Sequence, residues 1–149
     1  KELSGNRDNY PVTNVTREQA QAFCEWLGGD LPTDDEWEKA ARGVDARIYP
    51  WGDAWPNVNN NLSNLPLYLD AAGNGRDLFP AGNFPLGQSP YGLMEMSGNA
   101  WEWTSSGSVR GGSCYPAESY DYRTLMRSAH IGQPDAEKSY YIGFRCVVR

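Results

Sequence analysis

Cysteine, histidine and positive charge are all in short supply in this chain. Its 149 residues include three Cys, one His, and 13 Lys and Arg set against 19 Asp and Glu, a net charge of -6. Three irregularly spaced Cys are too few for a zinc site, and their odd number leaves at least one thiol outside any intramolecular bridge. A single His, His130, counts against a multi-histidine iron centre. Binding to a phosphate backbone depends on clustered Lys and Arg, so nucleic acid is not an expected partner, and cations or neutral ligands suit the charge better. No run of about 18 apolar residues is present, which removes a membrane-spanning helix from consideration. The first twenty residues lack the charged-then-apolar pattern of a signal peptide. Because the chain opens at Lys1 without an initiating Met, that lack leaves the compartment open.

The length suits one domain spanning residues 1–149, large enough for folding to hide roughly two-thirds of the unfolded surface. Six Trp and nine Tyr supply large apolar bodies that also need hydrogen-bond partners. The clearest local signal is a helix from about Arg17 to Leu27. Thr16 and Gln19 form a capping box, Val15 can staple against Ala20, and Ala20, Phe23, Cys24 and Leu27 share one face before Gly28 and Gly29 stop it. A second helix follows Pro32, capped by Thr33 with Glu36 three residues on, and is expected to bury Trp37, Ala40 and Ala41 before Gly43 ends it. From Gly43 to Pro90, Gly, Pro and Asn interrupt the chain too often for long elements. Interspersed Trp51, Trp55, Leu65, Leu67, Tyr68, Leu69, Leu78, Phe79 and Phe84 point to ordered loops rather than a solvated linker. Short β-like runs at Ala100 to Thr104, Val109 to Gly112 and Tyr140 to Val148 are expected to pair as an antiparallel sheet.

Several stretches occur in a telling order. They are PVTNVTREQAQAFCEWL at Pro11 to Leu27, LPTDDEWEKAARG at Leu31 to Gly43, YPWGD at Tyr49 to Asp53, YGLMEMSGNAWEWT at Tyr91 to Thr104, RGGS at Arg110 to Ser113, and GFRC at Gly143 to Cys146. Together they resemble the formylglycine-generating-enzyme (sulfatase-modifying-factor) family. The resemblance implies an α+β, C-type-lectin-like fold of that subtype, with two helices, small antiparallel sheets and extensive ordered loops. Full-length members usually carry a further N-terminal part of roughly 80 residues, which this sequence lacks.

The family's oxidases are similar to one another in holding two Cys about five residues apart shortly after RGGS, where paired thiolates bind copper, a soft-ligand preference. Here Cys114 follows Ser113 directly, the next seven residues, Tyr115 to Asp121, contain no thiol, and the next Cys is Cys146. No copper or iron is therefore expected and no catalytic residue is assigned; a lone Cys114 reads as a small buried hydrophobe. The resemblance also implies a disulfide between Cys24 and Cys146, the alternative being two reduced core thiols. It further implies structural calcium. One site takes the side chains of Glu95 and Glu102 with the carbonyls of Gly98 and Ala100, all hard oxygen ligands, although Glu95 stands where Asp or Asn is usual. A second draws on Asn61 and the carbonyl of Leu62, with Asp70, Asn74 and Asp77 competing for the remaining place. Trp101, Trp103, Trp37 and Trp51 are expected in the core. The QPD at Gln133 to Asp135 lacks the companion ligands of a calcium-dependent sugar site.

Between RGGS and GFRC, five tyrosines (Tyr115, Tyr120, Tyr122, Tyr140 and Tyr141) alternate with Glu118, Ser119, Asp121, Thr124, His130 and Ser139. Tyr offers broad amphipathic contact at low entropic cost, and Ser and Asp offer adaptable hydrogen bonds. The borders resemble those of the variable region in proteins diversified by retroelements, and Tyr, Asp, Ser, His and Thr are the residues that single changes at adenines produce from an Asn codon. The resemblance implies a non-catalytic domain whose variable face holds a protein or other macromolecular ligand. Two other readings stand beside it: an oxidase acting on protein cysteine, and a structural or regulatory domain of a larger protein. Tyr also populates strands readily, so a half-buried, scattered placement is the competing structural reading.

Overall fold

The computed structural model describes residues 7–55, 77–114 and 122–149. Helix α1 (Arg17–Trp26) starts where the capping box predicts: the Gln19 amide donates to Thr16 Oγ1 at 3.2 Å, and the Thr16 amide donates to Gln19 Oε1 at 3.0 Å. Helix α2 (Asp34–Arg42) repeats the device with Thr33 and Glu36, and Gly43 ends it at φ 71°. A short 3-10 turn, Pro85–Gly87, and the one-turn helix α3 (Tyr122–Leu125) complete the helical content of the described residues. Four short strands, β1 (Trp101–Trp103), β2 (Val109–Arg110), β3 (Ile131–Gly132) and β4 (Ile142–Gly143), form one sheet in the order β3-β2-β1-β4.

The sheet departs from the expected antiparallel arrangement. β1 and β2 are antiparallel, as are β2 and β3, but β4 runs parallel to β1. β3 lies at one edge, so the chain must cross to the other edge before β4 can pair, and it arrives there in the direction of β1. β3 itself was not anticipated. Gly132 can lie there because a Cβ would meet the Trp101 ring and the Val109 side chain at 3.0 Å. The expected run from Tyr140 to Val148 yields only a two-residue strand plus a single bridge between Val147 and Asp30. After Gly143 the intervening residues leave the ladder, Arg145 turning to Glu102 and Cys146 to Cys24.

A second departure concerns α1. Ala20 and Cys24 are fully buried, but Phe23 is 46% exposed and Leu27 53% exposed. Small side chains carry the helix onto the sheet, where Ala20 and Cys24 join Leu31, Trp103, Val109 and Ile142 in the main core, with Val15 packed against them. Phe23 turns outward and meets Phe144 edge-on, with 5.6 Å between ring centroids. On α2 the expectation is met: Trp37 and Ala41 are buried with Met96, and Ala40 packs against them. Loop aromatics are also used as expected where described. Leu78 and Phe84 are buried, and Trp51 stacks on Tyr49 at 5.1 Å beside Trp55. Leu65, Leu67, Tyr68 and Leu69 lie outside the described residues.

Cys24 and Cys146 form a disulfide across 122 positions, tying α1 to the closing segment. Close by, Arg149 pairs with both Asp30 and Glu36. On the other side of the sheet's centre, Arg110 has no exposed surface. Its Nη2 donates to Glu38 at 2.9 Å and to the Ser128 carbonyl at 2.9 Å, Asp34 stands 3.7 Å from Nη1, and the guanidinium lies over the Trp37 ring. Gly111, at φ 92°, follows because a Cβ there would stand 3.0 Å from the Trp37 ring. This packing explains the Arg110-Gly111 pair at this turn.

Two predictions follow from these ties. Replacing Cys24 and Cys146 by Ser should lower unfolding stability by roughly 5 kcal/mol, the chain-entropy value for so long a loop, read from the urea midpoint; an unchanged midpoint would contradict the bridge's role. The second concerns acid. Burial pushes Asp34 and Glu38 up, but hydrogen bonds from Ser106 and Ser108 to Asp34 and from Arg42 and Arg110 to Glu38, with the charge of Arg110, outweigh it and hold both below their ordinary values of 3.8 and 4.5. With folded values depressed, their contribution is full above those unfolded values and is lost as pH falls through the folded ones. Urea unfolding from pH 7 to pH 3 should therefore show stability falling below about pH 4.5, and Arg110→Met should shallow that fall.

Candidate functional site

Glu102 sits at the middle of β1, paired in register with Arg110 on β2 and Gly143 on β4. Its nearly buried carboxylate accepts three hydrogen bonds: Trp37 Nε1 to Oε2 at 2.7 Å, Arg145 Nε to Oε2 at 2.6 Å, and Arg145 Nη2 to Oε1 at 2.7 Å. Arg145 Nη2 also donates to the Met94 carbonyl at 3.1 Å. One carboxylate thus joins α2, β1 and the closing segment. A cavity of about 480 Å³ opens beside it, with Glu95, Asn99, Glu102, Phe144 and Arg145 in its wall.

The turn leading into β1 is held from inside. Glu95, at φ 51°, and Asn99, at φ 67°, both occupy the left-handed region that non-glycine residues rarely adopt. Glu95 accepts the Gly82 amide at 2.9 Å and the Phe84 amide at 3.3 Å, one on each carboxylate oxygen. Asn99 clamps the Phe79 backbone, its Oδ1 accepting from the amide at 2.9 Å and its Nδ2 donating to the carbonyl at 3.2 Å, while its own carbonyl accepts the Cys114 amide at 2.8 Å. Gly98, between them, donates its amide to the Gly111 carbonyl at 2.7 Å, and Ala100 is buried. Sequence reasoning passed over Asn99 and Arg145. Asn is the non-glycine residue best suited to a left-handed turn position, and an Arg between Phe144 and Cys146 needs an acid partner if it is buried; both signals were there to be used.

Of the positions that the resemblance implies for calcium, Glu95, Ala100 and Glu102 line this cavity. The carboxylate of Glu102 is committed to a guanidinium and an indole, and that of Glu95 to two amides. Among the described residues no three His, Cys, Asp or Glu side chains converge to hold a metal ion. Asn61 and Leu62, together with Asp70 and Asn74, lie outside the described residues; Asp77 is described and is bound to Arg7 and Tyr140.

Cys114 is 1% exposed and packs with Leu78 and Ala100 beneath Tyr10, Tyr140 and Tyr141. Burial, with the charge of Asp77, pushes its thiol up to about 12. With Cys24 and Cys146 bridged, it is the one free thiol of the three cysteines in the sequence.

The polar and aromatic residues proposed for a ligand surface are divided. Tyr115, Glu118, Ser119, Tyr120 and Asp121 lie outside the described residues, and Tyr122 opens α3. Thr124 is exposed, and His130 is half-buried beside Trp101, its pKa lowered by burial and by Arg110. His130 directly precedes β3. Ser139, Tyr140 and Tyr141 lie at the β4 edge, all half-buried. Ser139 fixes a turn, its carbonyl accepting the Asn14 and Ile142 amides and its Oγ the Tyr141 amide. Tyr140 donates to Asp77 at 2.7 Å and accepts from Arg7 at 2.9 Å, and its ring meets Tyr141 edge-on. Tyr140 and Tyr141 therefore serve the scaffold.

Two capped helices on a small mixed sheet, a bridged closing segment and long ordered loops define an α+β, C-type-lectin-like domain. The chain belongs to the sulfatase-modifying factor enzyme 1-like family, whose domain model matches residues 2–149. It is 35% identical over 142 residues to the inactive C-alpha-formylglycine-generating enzyme 2 of Bos taurus, covering 92% of this chain and 44% of that protein. It is 34% identical over 170 residues to the formylglycine-generating enzyme of Mus musculus, covering 95% of this chain and 45% of that protein. The chain thus spans less than half the length of these relatives. Among solved structures, Treponema denticola variable protein 1 superimposes with a TM-score of 0.69 at 16% identity, over 96% of this chain and 72% of that one, a likeness of fold.

The burial of Cys114 yields a direct test. At pH 8 its alkylation by iodoacetamide in the folded protein should be on the order of 1000-fold slower than in urea, since three pKa units remove that much thiolate. Comparable rates in the two states would contradict the buried placement.

Proposed function

We propose that this domain is a non-catalytic binding module on a formylglycine-generating-enzyme scaffold, presenting the Tyr-rich stretch between Cys114 and Tyr141 to a protein or other macromolecular ligand. The observation that carries the reading is the state of the sulfurs. Two of three cysteines are bridged and the third is buried with its thiol pushed far above neutral pH, so the chain has no pair of thiolates for copper. Binding without chemistry is what the scaffold can still do. The reading is supported by relatives named as inactive formylglycine-generating enzymes and by the fold it shares with a variable protein. Retroelement diversification is the form of this proposal that explains the Tyr, Asp, Ser, His and Thr palette; it expects a near-copy of the segment close to the coding region, differing at adenines.

The competing reading is an oxidase, favoured by the relatives named as formylglycine-generating enzymes. Purified protein should neither retain copper stoichiometrically after Cu(I) loading nor convert a cysteine-containing peptide to an aldehyde, as read by mass spectrometry. A partner captured by the wild-type domain should be lost by a Tyr115→Ala, Tyr120→Ala, Tyr122→Ala variant that melts at the wild-type temperature. Copper uptake with aldehyde formation would establish the oxidase instead. Capture unaffected by the three substitutions would move the ligand elsewhere on the domain.

A further inference from the structure

The geometry points to Arg145 as the fixed internal cation of the turn that enters β1, so that this turn closes onto the last segment of the chain without a metal ion. Glu102 is the acid that this cation serves. It is a nearly buried carboxylate in a strand, a placement that requires a compensating charge and donors for its lone pairs. Gly143 stands opposite it in register and carries no side chain. Arg145, two residues further on, reaches back and engages the carboxylate through two parallel N–H donors, the strongest arrangement available to such a pair.

The same guanidinium then does what a bound cation would do for the rest of the turn. Its Nη2 also holds the Met94 carbonyl, so a single group links the start of the turn to its end. The other acid of the turn is satisfied separately, Glu95 taking the Gly82 and Phe84 amides from the preceding loop. A longer acid in place of the usual Asp or Asn lets its carboxylate extend to that loop. A calcium ion needs six to eight oxygen ligands. Here it would have to share both carboxylates with the donors that already hold them, and sit beside a positive charge confined to the same cavity. Its task would already be done.

The experiment is a calcium titration of the whole chain with Arg145→Gln and Arg145→Lys beside it. Purified wild-type protein is stripped with EDTA, its thermal midpoint is followed with and without calcium at about 10 mM, and retained calcium is measured after equilibrium dialysis. That concentration is roughly tenfold above the weakest oxygen-ligand sites, so an occupied site would raise the midpoint by about 3 to 6 °C. The expected result is no shift and no retained calcium. Arg145→Gln should melt several degrees lower in EDTA and recover part of the loss on adding calcium, while Arg145→Lys, which keeps the charge, should lie between the two and ignore calcium. One calcium retained per wild-type chain, or a wild-type midpoint raised by calcium, would overturn the inference. So would an Arg145→Gln variant that melts in EDTA as the wild type does. The wild-type measurements decide the matter even if a variant fails to fold.

Discussion

The bridge between Cys24 and Cys146 governs both halves of this molecule's behaviour. Mechanically, it pins the first helix to the end of the chain and so closes the main core around Ala20, Leu31, Trp103, Val109 and Ile142. It also fixes where neighbouring residues can go. Arg145, one residue before the bridge, is turned toward Glu102, and Val147, one residue after it, is placed to pair with Asp30. Chemically, the bridge removes two of three thiols from reaction and leaves Cys114, which the core then covers. The proposal of a binding module follows from that accounting of sulfur.

Charge inside the domain is handled by arginine. Arg110 and Arg145 flank the centre of the sheet, each facing buried or half-buried acids from another part of the chain: Glu38 and Asp34 from α2 for the first, Glu102 from β1 for the second. Trp37 stands between the two systems, donating to Glu102 while lying under Arg110. Breaking such a buried pair by removing one partner costs far more than replacing it whole with apolar residues. These contacts hold short strands, only two or three residues each, that backbone pairing alone would hold weakly.

Both long helices were legible to within a residue or two because capping boxes are local devices, fixed by four consecutive residues. The family resemblance supplied the disulfide and the general architecture. Strand edges and sheet direction were not legible. Gly132 joins the sheet because of what it lies against, and β4 is parallel because of where β3 ended; neither cause is local. The outward turn of Phe23 had the same source, a contact with Phe144 more than a hundred residues away. At the candidate site the acids Glu95 and Glu102 line one cavity, and their partners are an arginine at the far end of the chain and amides of a separate loop. Sequence spacing suggests ligands; it does not say which donor reaches them first.

The central claim is that this chain has one free thiol and no second thiol to join it. Alkylating the fully denatured, unreduced protein and measuring its intact mass, with peptide mapping of the adduct, tests that directly. The account predicts a single adduct on Cys114 and a Cys24–Cys146 peptide pair. Three adducts, or Cys114 found bridged to either of the other two, would contradict it.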